Sequence, residues 1–96
     1  MGSETPAGTM IRLLQDIRKS AEENGLTGRV VQTSRSHPPV LVLINPDVHQ
    51  LSEEISCKES SPGDWWLYWS WGGRIGRATD VSGAIAVIRR VLRTRP

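Results

Sequence analysis

Ninety-six residues, 38% hydrophobic and 23% charged, can bury one modest core and are too few to divide their apolar side chains between two. That composition excludes a disordered or fibrous chain, and the longest unbroken apolar run, Val40 to Ile44, is far short of the roughly 20 residues of a bilayer helix. The net charge of +2 is unevenly placed: residues 64 to 96 carry six basic and two acidic groups, against six and eight in residues 1 to 63. One α+β domain over residues 1–96 is expected, loose at 1–8 and 94–96. Ten of the twelve basic residues are arginine, which reads as the codon bias of a GC-rich genome. The segment Met1 to Pro6 has no basic stretch leading into an apolar one, so a cytoplasmic location is expected.

Thr5-Pro6 can cap and start a helix whose apolar face recurs at Met10, Leu13, Leu14, Ile17 and Ala21. Asn24-Gly25 stops it, with Leu26 folding back on the last turn. A first strand is expected over Arg29 to Ser34, ended by Ser36-His37-Pro38-Pro39, where two prolines cannot donate to a ladder. Val40 to Ile44 reads as a central strand covered on both sides, closed by the turn Asn45-Pro46-Asp47, with His49 beside it. Alternation from Leu51 to Lys58 gives a third strand, and Ser60 to Asp64 a turn. Asp80 then caps a helix with the stripe Val81, Ala84, Ile85, Ile88, Val91 and Leu92, and Arg89, Arg90, Arg93 and Arg95 near its end suit the helix dipole. The expected architecture is an N-terminal helix, an antiparallel meander of four to five strands and a C-terminal helix.

Every aromatic residue falls in the run Trp65-Trp66-Leu67-Tyr68-Trp69-Ser70-Trp71, which leads into Gly72-Gly73 and Arg74-Ile75-Gly76-Arg77. In a strand, alternate side chains share a face, so Trp65, Leu67, Trp69 and Trp71 go one way and Trp66 and Tyr68 the other. A two-residue loop at Gly72-Gly73 places Trp71 opposite Arg74, where the guanidinium can stack on the indole, and Trp69 opposite Gly76. It also gathers Trp66, Tyr68, Ile75 and Arg77 on one face. With core filling assigned to the Trp69 face, these four form the expected interaction face.

No pattern of catalytic or metal chemistry is present in the sequence. His37, His49 and Cys57 match no zinc spacing, no cofactor motif is found, and Cys57 reads as a small core filler. Ser70 lacks a nucleophile elbow. Glu53 and Glu54 must face opposite ways on a strand and cannot work as a carboxylate pair. Gly72 to Gly76 lacks the Lys-Ser/Thr of a phosphate loop. The run from Asp64 to Gly72, followed by Arg74-Ile75 and an Asp-started helix rich in Ala, Val and Arg, resembles small uncharacterised actinobacterial proteins over residues 64 to 93; the resemblance implies a bacterial source and transfers no function.

The expectation is a small non-enzymatic protein-interaction module of accessory, regulatory, chaperone-like or immunity type. It would use its aromatic sheet face to bind a protein partner or to self-associate as a dimer, without membrane contact. Two alternatives stand beside it. One is a nucleic-acid-binding domain that stacks bases on Trp66 and Tyr68 beside Arg77. The other is a small-molecule site in a crevice between sheet and helix.

Overall fold

In the computed structural model, which describes residues 6–34 and 36–93, the chain runs α1 (Pro6–Glu23), β1 (Thr27–Val31), β2 (Val40–Asn45), β3 (Val48–Ser61), β4 (Asp64–Trp69), β5 (Arg74–Arg77) and α2 (Val81–Leu92). The strands form one antiparallel sheet in the order β1-β2-β3-β4-β5, so the molecule is α+β, a meander between two helices.

Helix α1 begins at Pro6, whose fixed φ suits a first turn. Pro6 to Gly8 belong to the helix; the expected cap at Thr5 and the segments 1–5 and 94–96 lie outside the described residues. The helix buries Leu13, Leu14, Ile17 and Ala21. It closes at Gly25, which takes φ +90°, with the Leu26 N–H donating to Ala21 O at 3.0 Å and the Gly25 N–H to Glu22 O at 3.3 Å. That pair of bonds satisfies two end carbonyls and folds buried Leu26 under the last turn.

Gly28 sets how closely α1 approaches the sheet. A Cβ there would lie 2.7 Å from Leu43 Cδ2 and 2.9 Å from Arg18 Cγ, so the bare backbone of β1 admits both side chains. Strand β1 thus starts at Thr27, two residues before the expected Arg29, and ends at Val31. Strand β3 starts at Val48, because the turn before it is tight: Asn45 Oδ1 accepts the Asp47 N–H at 2.9 Å and the Val48 N–H at 3.3 Å, and pairing resumes at once. His49 is accordingly an exposed strand residue.

Helix α2 is capped as expected, with Asp80 Oδ1 accepting the Gly83 N–H at 3.2 Å, and buries Ala84, Ile85, Ile88 and Leu92. Its C-terminus is tied across the fold. Buried Asn45 donates from Nδ2 to Leu92 O at 2.8 Å while its Oδ1 holds the β2–β3 turn. Helix α1 packs on β1 and β2, α2 on β5 and β3, and the helices pack on each other. They share one face of the sheet, and with Leu41, Leu43, Ile55, Cys57, Leu67 and Trp69 they make the core.

Cys57 is 2% exposed, and burial pushes its thiol up to about 11. A thiolate is the reactive form, so the native protein should resist Ellman's reagent at pH 8 and react at once when unfolded in urea. Fast labelling of the folded protein at a rate independent of urea would show that β3 and β4 open locally around Cys57.

Candidate functional site

With both helices on one face, no element among the described residues covers the other. The pairing register shows what is left there. Val31 opposite Val40, Arg29 opposite Val42 and Thr27 opposite Ile44 form its β1–β2 side. Glu54 lies opposite Val42 on β3, Tyr68 opposite Ser56, and Trp66 opposite Lys58. Arg74 pairs with Tyr68 and Arg77 with Trp66 on the far edge. Val40, Val42 and Ile44 are only half buried, so β2 is covered on one side and not on both as its unbroken apolar run implied. The sheet is concave over them: a shallow trough of about 360 Å3 is lined by Thr27, Arg29, Val31, Val42 and Ile44, and a second of about 310 Å3 continues it along Val31, Val40, Val42 and Pro38.

The β4–β5 hairpin differs from its expected register. Only Gly72 of the glycine pair has positive φ, +95°. The Gly72 N–H donates to Trp69 O at 2.9 Å and the Trp69 N–H to Gly73 O at 2.8 Å, so the turn consumes Ser70 to Gly73 and Trp71 pairs with nothing across the strand. A bulge then intervenes, because Tyr68 faces Arg74 while Leu67 faces Gly76, which leaves Ile75 as the extra residue. Two assignments change as a result. Ile75 turns into the core, 8% exposed, and leaves the expected interaction face, while Arg74 joins it. Trp71 does not receive Arg74; it stacks on Trp69 with ring centroids 5.1 Å apart and is itself 61% exposed.

Trp66, Tyr68 and Arg77 do share the outer face, among cations that the sequence did not place there. The Arg74 guanidinium lies 4.2 Å from the Trp66 ring centroid and 5.7 Å from that of Tyr68, and its Nη2 donates to Tyr68 Oη at 3.2 Å. Arg77 lies 5.1 Å from the Trp66 centroid and Lys58 Nζ 5.3 Å from that of Tyr68. Such contacts hold long cationic side chains flat on the rings. Asp64 fixes the patch at its edge, accepting from Trp66 Nε1 at 3.1 Å with Arg77 Nε at 3.6 Å. The Trp66 N–H holds the Asp64 carboxyl below its ordinary range against the opposing effect of desolvation, helped by Ser60 and by the charges of Arg77 and Arg74.

Glu53 and Glu54 face opposite sides of β3, as strand geometry requires. His37 is exposed in the loop before β2, with Ser34 Oγ 2.9 Å from its Nδ1, whereas Cys57 is buried. No helix among the described residues is long and apolar enough to cross a membrane. Comparisons with protein-family models, with curated proteins and with solved structures give no match, so the meaning of this surface rests on its chemistry.

Proposed function

We propose that this protein is a non-enzymatic interaction module that binds a protein partner through the outer face of its sheet, in an accessory, regulatory, chaperone-like or immunity role in the cytoplasm. The observation that carries this reading is that both helices pack on one face and leave Val31, Val40, Val42, Ile44, Trp66 and Tyr68 together on the other. An aliphatic patch on β1 and β2 and an aromatic, arginine-rimmed patch on β4 and β5, with the polar outer side chains of β3 between them, have the composition of a binding interface. Base stacking is the weaker reading, because guanidinium groups already lie over the Trp66 ring and a base would have to displace them.

The test is a photo-crosslinking residue placed at Val42 on the outer face, or at Ser82 on α2 as control, in the cells that make the protein. Discrete protein adducts should form from position 42 and not from position 82. If position 42 gives no more than position 82, the face is not an interface; adducts that disappear with nuclease would favour nucleic acid.

A further inference from the structure

The outer face is divided from side to side, and the division specifies what can lie on it. On β1 and β2 it is aliphatic, with Val31, Val40, Val42 and Ile44 lining the shallow troughs. On β4 and β5 it is aromatic and cationic. Among the described residues, four cations, Arg29, Lys58, Arg74 and Arg77, stand on this face against the carboxylates of Glu54 and Asp64, and Asp64 is already committed to Trp66 and Arg77. Arg74 is exposed, and its direct contacts are rings and a phenol oxygen; Asp64 feels its charge at longer range but makes its ion pair with Arg77, so the guanidinium of Arg74 still has its hydrogen-bonding edge to offer a carboxylate.

Building on the interface reading above, we infer that the occupant is an acidic segment of a partner protein, lying across the strands with apolar side chains on Val42 and Ile44 and carboxylates on Arg74 and Lys58. Strand spacing of about 4.8 Å puts β5 about 14 Å from β2, a span of roughly ten helical residues. Glu54, on β3 beside Val42, sets the direction, since it offsets Arg29 on the other side of Val42 and leaves Lys58, Arg74 and Arg77 as the cationic end that receives carboxylates.

A second copy of this chain fits less well. Strand packed upon the same strand sets Arg74 and Arg77 against themselves; the reversed order sets them on Val31 and Val40.

The probe is a fluorescein-labelled, alanine-based helical peptide of about 16 residues, with leucines on one face of its first half and glutamates on the same face of its second. Two controls replace the glutamates by lysine or the leucines by serine. Anisotropy titration at low salt should show the acidic peptide binding about tenfold or more tighter than either control, weakening as salt rises. Arg74→Glu and Val42→Asp should each lower affinity about tenfold. Arg74→Gln and Val42→Thr, which keep the strand chemistry, should lower it less while leaving the melting temperature near wild type.

Equal binding of the acidic and lysine peptides overturns the acidic assignment and leaves the interface reading standing. Binding of none of the peptides overturns it too, and crosslinking at position 42 then decides the interface separately. A dimer in sedimentation equilibrium that Val42→Asp converts to monomer would replace the acidic partner by a second copy. Single-stranded RNA that outcompetes the acidic peptide and loses affinity in Arg77→Ala would replace it by nucleic acid.

Discussion

Trp69→Ala should lower the unfolding free energy by about 3 to 5 kcal/mol, the usual cost of emptying a large buried aromatic site. The indole is 5% exposed, ends β4 and belongs to the core beneath the helices. It also carries Trp71, stacked 5.1 Å away, so its loss strips that ring of support. For a small domain whose total stability lies in the range of about 5 to 15 kcal/mol, a loss of this size takes about a fifth or more of it. Trp71→Ala should cost only about 1 kcal/mol, because a ring 61% exposed forfeits stacking and little burial. Trp66→Ala should likewise cost about 1 kcal/mol, since its partners on the outer face are exposed cations and the part-exposed Asp64 carboxylate. Urea melts of the three variants, with the slope checked for constancy, give the order. Equal losses at Trp69 and Trp66 would mean that both sheet faces are core, and the outer face would then have no free surface to offer.

The features that were legible in the sequence are local ones. Asn24-Gly25 could be read as a helix stop and Asp80 as a cap because each acts on backbone within a few residues of itself. Which residues of β4 share a face was legible too, since alternation requires only that the strand be a strand; it set Trp66 and Tyr68 together and apart from Trp69, but alternation alone does not say which side is buried. The hairpin register was not. Gly72 and Gly73 look alike in sequence, and which one takes positive φ decides whether the loop spans two residues or four. The bulge that follows then reverses Ile75 and Arg74, and the expected face lost a residue and gained a cation.

The aliphatic half of the surface gave one signal, the unbroken run Val40 to Ile44, which says that both faces of β2 are apolar but not whether the protein itself covers both. That depends on where α1 and α2 land, and both land on the same side. Lys58 and Arg29 entered the site through strand pairing alone, which no local pattern reports. Asn45 shows the same limit in the core. Its turn-forming role is written in Asn45-Pro46-Asp47, but its second partner, Leu92 O, lies 47 residues away at the end of α2.

That second partner makes Asn45→Asp the most selective change that can be made to the fold. One oxygen of the introduced carboxyl can still accept from the Asp47 and Val48 N–H groups, so the turn survives; the other replaces the Nδ2 donor and faces Leu92 O, acceptor against acceptor. An ionised carboxylate buried there is unfavourable, and the site should raise the folded-state pKa above the ordinary value of about 3.9. Protonation restores a donor, which caps the penalty at pH 7 near 4 kcal/mol, three units above that value at about 1.36 kcal/mol each. A loss of about 3 kcal/mol at pH 7 is expected. With the folded pKa raised, the native variant binds more protons than its unfolded chain between the two pKa values, so its stability relative to wild type falls as pH rises through that window and recovers below pH 4. Urea melts of wild type and variant at pH 4 and pH 7 measure the difference directly. A penalty that is the same at both pH values would mean that the carboxyl turns away from Leu92 O, and that Asn45 holds the β2–β3 turn without tying down α2.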